Sequence, residues 1–216
     1  YIHVPFCRHR CGYCNFTLVA GRDDLIGAFL DAIERELALL GVPRPVETLF
    51  FGGGTPTHLS PDELRRLFAS VLHWHPLAAG AEFSVEANPA DLDSEKVAVL
   101  AEAGVTRLSL GGQSFDADKL RLLERDHAPR DIARAVELVR KQKLSVAETA
   151  VADATVADAA SVGGKAGGFP HGPSISLDLI FGVPGETDEV WRRDLEEALA
   201  LAPDHVSTYG LTFERG

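Results

Sequence analysis

Cys7, Cys11 and Cys14 sit in one short stretch, "CRHRCGYC", and the chain has no other cysteine. An odd, clustered set is not the scattered even set of a disulfide framework. A redox pair of Cys11 and Cys14 would leave Cys7 over, so the pattern reads as metal ligation in a reduced compartment. Zinc would want a fourth ligand, which His3, His9 or His58 could supply. A [4Fe-4S] cluster on three thiolates instead leaves one iron open to a substrate or cofactor. The Cys-x3-Cys-x2-Cys spacing favours the cluster.

Other chemistry-bearing residues are spread along the chain. Gly52-Gly53-Gly54-Thr55 follows an apolar run, and glycines there let backbone groups approach a ligand. Glu86 and Asp178 stand in apolar stretches, where a carboxylate is costly unless paired or used. Gln113 and Arg125 are further polar candidates. His73 and His75 flank Trp74 in "HWHP", but no two histidines of the eight form a recognisable ligand pair.

These residues need elements to bring them together. Strands are expected at "YIHV", "VETLFF" (46–51), "EFSVEA" (82–87), "TRLSLGG" (106–112), "SISLDLIFG" (174–182) and "HVSTYGLTF" (205–213). Helices are expected between them. "SPDELRRLFASVL" carries Ser60 as N-cap, Pro61 in the first turn and Glu63 closing a capping box. Leu25 to Leu40 keeps helical spacing up to Gly41, and "SEKVAVLAEAG" and "DIARAVELVRK" are further helices. Alternating strands and helices predict an α/β fold with a parallel sheet. Polar or glycine-rich residues fall near the C-terminal end of every strand, as barrel folds place their sites. The fold class expected is an incomplete (β/α)6 barrel. Residues 143–168, rich in Ala, Val and Gly, read as a flexible surface insertion, with a short helix over 145–160 as the alternative.

The net charge of -11 argues against non-specific nucleic-acid binding, which needs many phosphate-neutralising cations. No apolar run reaches the length of a membrane span. The chain has no Met and no leader before Tyr1, so it reads as an excised domain covering 1–216.

The cysteine loop resembles that of the radical S-adenosylmethionine (SAM) superfamily. In that family SAM binds the fourth iron, and an electron from the cluster cleaves it to a 5′-deoxyadenosyl radical. The family fold is a partial (β/α)6 barrel. "YIHVPFC", "FFGGGTPT", "SVEANP", "RLSLGGQSFD" and "SLDLIFGVPGET", in this order, resemble the oxygen-independent coproporphyrinogen III oxidase group. Its true oxidases carry a fourth cysteine two residues after the third; here that position is Phe16, which resembles the haem chaperone branch. "YGLTFE" fits the same branch, whose C-terminal domain is absent from this chain. Gly112 departs from the group, which has a bulkier apolar residue before the Gln.

The resemblance implies a [4Fe-4S] cluster on Cys7, Cys11 and Cys14. It implies SAM contacts at Tyr1 (near the sulfonium), Tyr13 (adenine), Gly53, Gly54, Thr55, Glu86, Gln113, Arg125, Asp178 and Gly210. Haem is the implied cargo, with an electron donor and recipient haemoproteins of the respiratory chain as partners. Whether the chain is an enzyme stays open. The expected location is the cytoplasm, with a mitochondrial homologue as the alternative.

Overall fold

The computed structural model describes residues 1–154 and 173–212, and of 143–154 the backbone alone. The elements run β1 (Ile2–Val4), β2 (Phe6–Cys7), β3 (Val19–Ala20), α1 (Ile26–Ala38), β4 (Val46–Gly53), α2 (Pro61–Trp74), β5 (Leu77–Ala87), α3 (Ser94–Glu102) and β6 (Arg107–Gln113). They continue with α4 (Ala117–Leu122), α5 (Pro129–Ala154), β7 (Ser174–Phe181), α6 (Asp188–Ala200) and β8 (His205–Gly210).

Six strands form one sheet in the order β1-β4-β5-β6-β7-β8, and every neighbouring pair is parallel. The order follows the chain without a reversal. A doubly wound sheet would switch direction and bind at that point; here all strands point the same way around an incomplete barrel, and their C-terminal ends share one mouth.

The two faces of the sheet differ in chemistry because side chains alternate along each strand. Phe51, Phe83, Val85, Leu108, Leu110, Ile175 and Leu177 face the helices and are buried. They pack on Leu64, Leu67, Phe68 and Val71 of α2, the stripe expected from its spacing. Phe51 meets Phe68 edge-on at 5.1 Å between ring centroids, a favoured aromatic geometry. Ser84 and Glu86 of β5, Ser109 of β6 and Ser176 and Asp178 of β7 fall on the opposite face. That inner face is therefore polar. Glu86 and Asp178 are members of an alternating polar set and not isolated carboxylates in apolar strands.

The capping box is formed: Ser60 Oγ accepts from the Glu63 amide and Glu63 Oε2 accepts from the Ser60 amide at 2.7 Å. Two features go beyond the expected elements. The pair β2–β3 aligns Phe6 with Val19 and Cys7 with Ala20, and α4 fills the stretch between Gln113 and Arg125. Helix α5 also runs past Lys141 to Ala154. "KLSVAETAVADA" (143–154) holds neither Pro nor Gly and is rich in Ala, so nothing in it stops a helix. The rest of the expected insertion, 155–168, lies outside the described residues.

Candidate functional site

At the C-terminal ends of the strands lies an open cavity of about 810 Å³. Cys7, Cys11, Cys14, Tyr13, Gly53, Gly54, Thr55, Glu86, Gln113, Arg125, Asp178 and Gly210 all line it. Tyr1 does not. It leads into β1, and burial, followed by the nearby Glu86 carboxylate, raises its pKa. Its ring stacks on Phe50 at 5.9 Å, its hydroxyl meets His3 Nδ1 at 3.1 Å, and it is 71% exposed.

The loop that carries the thiols is held from both ends. Cys7 closes β2, and its sulfur lies 3.3 Å from Thr55 Oγ1. A turn joins the Cys14 amide to the Cys11 carbonyl at 3.0 Å. Arg10 gathers the following carbonyls, donating to Cys14, Phe16 and Leu18. Arg8 donates to the buried Asp91 carboxylate at 3.0 Å. Burial pushes the Cys7 and Cys11 thiols above their ordinary pKa, with Thr55 and Arg125 respectively opposing the shift. Binding to metal would reverse that by deprotonating the sulfurs outright.

Of the three histidines that could complete a zinc site, His3 and His58 are engaged elsewhere, and His9 Nε2 lies 3.7 Å from Cys11 Sγ but is bonded to a backbone carbonyl. His3 Nε2 meets the Thr17 carbonyl, His58 pairs with Asp23 at 2.8 Å, and His9 Nε2 donates to the Glu124 carbonyl at 2.6 Å. Among the described residues, no three His, Cys, Asp or Glu side chains converge on a point that would hold one ion. A cubic cluster takes each thiolate on a different iron, so its ligands need not converge. Three free thiols on one cavity wall fit such a cluster.

The remaining residues fit a ligand with hydroxyl and charged groups. The Gly53 amide donates to Glu86 Oε2 at 3.0 Å. Burial raises the pKa of Glu86, and the Gly53 amide opposes it. Gly53 has φ of 114°, and a Cβ at Gly54 would come within 2.7 Å of the Phe6 carbonyl, so only glycine lets this turn lie against the cysteine strand. Asp178 Oδ2 accepts from Ser109 at 2.7 Å, while Oδ1 is buried with no hydrogen bond of good geometry among the described residues. Burial raises the Asp178 pKa against the opposing Ser109 and Ser207 hydroxyls.

Arg125 ties the two halves together. Nη1 donates to Cys11 Sγ and to the Tyr13 hydroxyl, both at 3.4 Å, and Nη2 to the Gly111 carbonyl at 3.0 Å and Asn88 Oδ1 at 3.3 Å. Burial works against its charge, but Tyr13 and Cys11 hold its pKa above the usual value. Tyr13 is pushed up to about 12 by burial and stays a neutral phenol. Gln113 reaches the cavity through a break in register between Leu110 and Gln113, with φ of 64°. His127 Nε2 donates to the Gly112 carbonyl inside that bulge at 2.9 Å. Gly112 itself leaves room beside Ile132, whose Cδ1 would stand 3.3 Å from a Cβ there.

Sequence reasoning missed Asn88, Asp126 and Arg8, which brace Arg125 and the loop. Asn88 lies within "SVEANP", so the stretch was visible but its role was not. It also missed an apolar wall of Leu123, Ile180 and Val183, against which Tyr13 packs. Such a wall suits one face of a flat ring.

Residues 1–157 match the family model described as the Radical SAM superfamily. The protein named heme chaperone HemW of Bacillus subtilis (strain 168) is 36% identical over 99% of this chain and 50% of its own length. That of Escherichia coli (strain K12) is 34% identical over 99% and 50%. Radical S-adenosyl methionine domain-containing protein 1, mitochondrial, of Bos taurus is 36% identical over 100% and 43%. The chain thus spans about half the length of these relatives. Among solved structures, the coproporphyrinogen III oxidase HemN of Escherichia coli, a radical SAM enzyme, superimposes with a TM-score of 0.79 at 27% identity, over 98% of this chain and 43% of that one. The expected fold and the expected family agree with these matches, and the chain belongs to the radical SAM superfamily, whose members use a [4Fe-4S] cluster and SAM.

Proposed function

We propose that this chain is the cofactor-binding core of a haem chaperone, a protein that binds haem and hands it to haemoproteins of the respiratory chain. Cys7, Cys11 and Cys14 hold the cluster, and Glu86, Gln113, Arg125 and Asp178 receive SAM. When bound, the cluster supplies single electrons and one iron that no cysteine ligates. The surrounding residues bind and orient. Arg125 sets positive charge beside Cys11, the Gly53–Thr55 turn brings backbone groups close, and the neutral Tyr13 offers a ring and a hydroxyl without charge.

The observation that carries this reading is Phe16. It lines the cavity mouth and is 64% exposed, at the position where the oxidases of the group carry a further cysteine. A phenyl ring can neither ligate iron nor donate a proton. Support also comes from the printed names of the bacterial relatives. No helix among the described residues is long and apolar enough to cross a membrane. We place the parent protein in the cytoplasm, with a mitochondrial setting, as for the bovine relative, the alternative.

The test uses the full-length parent. It should bind haem, yet release no carbon dioxide from coproporphyrinogen III under anaerobic, reducing conditions with SAM. Robust decarboxylation would make the oxidase the correct reading.

A further inference from the structure

We infer that Lys119 is a positioning residue for the adenine end of bound SAM, a buried cation that sets the width of the apolar slot beside Tyr13. The inference rests on the reading that this cavity binds SAM.

Lys119 lies in the first turn of α4 with its side chain 4% exposed, and it does not line the cavity. Its ammonium bonds Glu186 Oε1 and, at 2.8 Å, Asp194 Oδ2, and it lies 5.2 Å from the centre of the Trp191 ring. Each carboxylate in turn grips one turn of backbone. Asp194 takes the Phe115 amide at 2.6 Å and the Ser114 hydroxyl at 2.9 Å, just past Gln113. Glu186 takes the Gly182 amide at 2.5 Å and the Val183 amide at 3.2 Å, just past β7. Lys119 thus links the turn after β6, through Asp194, to the turn after β7, through Glu186.

Those two turns carry the walls of the slot. Leu123 stands one helical turn beyond Lys119, Ile180 is the penultimate residue of β7, and Val183 lies in the turn that Glu186 holds. A buried ion network gains little stability over apolar residues of the same shape, because desolvation offsets the attraction. What it supplies is direction, since each bond fixes where a backbone amide sits. Burying a lysine and two carboxylates behind a ligand wall is therefore read as a constraint on slot geometry.

The experiment uses anaerobically reconstituted protein and three probes measured by calorimetry: SAM, 5′-methylthioadenosine for the nucleoside half, and methionine for the amino-acid half. Lys119→Met leaves two buried carboxylates unpaired and can fail to fold. The informative variant is K119M/E186Q/D194N, which replaces the triad with uncharged groups of similar shape. Ser114→Ala is a milder one that keeps all three charges. The triple variant should keep its iron content and its methionine affinity, and bind SAM and methylthioadenosine about tenfold more weakly. Ser114→Ala should shift the same two affinities in the same direction by a smaller factor. Nucleoside affinity within about twofold of wild type in both variants would overturn the role of Lys119, as would equal weakening of methionine and methylthioadenosine, which marks a general structural effect. If the wild-type protein binds neither SAM nor methylthioadenosine, the reading of the cavity falls first and the inference with it.

Discussion

The guanidinium of Arg125 donates to the sulfur of Cys11 at 3.4 Å. A hydrogen bond and a positive charge at a ligand sulfur stabilise the more electron-rich state of a cluster. Arg125→Leu should therefore lower the reduction potential of the reconstituted cluster and weaken SAM binding, while iron content stays near wild type. Redox titration followed by electron paramagnetic resonance checks the first effect. An unchanged potential would mean that Arg125 acts only on Tyr13, Asn88 and Gly111.

Replacing any one of Cys7, Cys11 or Cys14 by Ala should remove the cluster, because two thiolates do not hold a cubane against solvent. Iron and sulfide analysis with visible absorption reads the outcome. Full iron in a single variant would contradict the ligand assignment.

Asp178 Oδ1 is buried with no hydrogen bond of good geometry among the described residues, so a ligand hydroxyl would find it ready to accept. Asp178→Ala should weaken SAM binding by about 10- to 100-fold, the range for losing a hydrogen bond to a charged group, with the cluster intact. Unchanged affinity by calorimetry would reduce Asp178 to a partner for Ser109.

His127 gives a stability signature in pH. Burial, helped by the Arg125 charge, lowers its pKa from 6.5 to about 4, so the fold holds it neutral. Its Nε2 carries the proton given to the Gly112 carbonyl. Between pH 6.5 and about 4 the unfolded chain binds the extra proton and the folded chain does not. Stability is thus complete above the unfolded pKa and falls on acidification, by about 3 kcal/mol at the folded pKa. Urea unfolding of wild type and His127→Gln at a series of pH values should show this slope in wild type and a shallower one in the variant. Equal slopes would place the acid sensitivity elsewhere.

The sequence showed the six strands in order because each carries a run of apolar residues bounded by turn signals, and it showed the capping box at Ser60 because that motif is local. The cysteine loop was legible for the same reason. What escaped depends on distance along the chain. Lys119 comes from α4, Glu186 from the turn after β7 and Asp194 from α6, so no short window of sequence relates the lysine to its carboxylates. Glu86 and Asp178 read as costly carboxylates in apolar stretches, whereas the alternation of "EFSVEA" and "SISLDLIF" places them on one polar inner face. Tyr1 rests on the resemblance alone: it is not in the cavity lining, yet the Glu86 carboxylate that is in that lining acts on its hydroxyl.

The sequential strand order sets a timetable for synthesis. The three thiols are made first, and Arg125, which covers Cys11, follows 114 residues later. At ordinary translation rates that interval is on the order of ten seconds. Early in it the growing chain presents a trithiol loop with no sheet behind it, since β1 has no partner until β4 is made, and at its end the far wall still waits for β7 and β8. During that window the loop can meet stray metal or oxidant as readily as its proper cofactor. The cavity wall that faces the thiols is complete only once Gly210 at the end of β8 has been made.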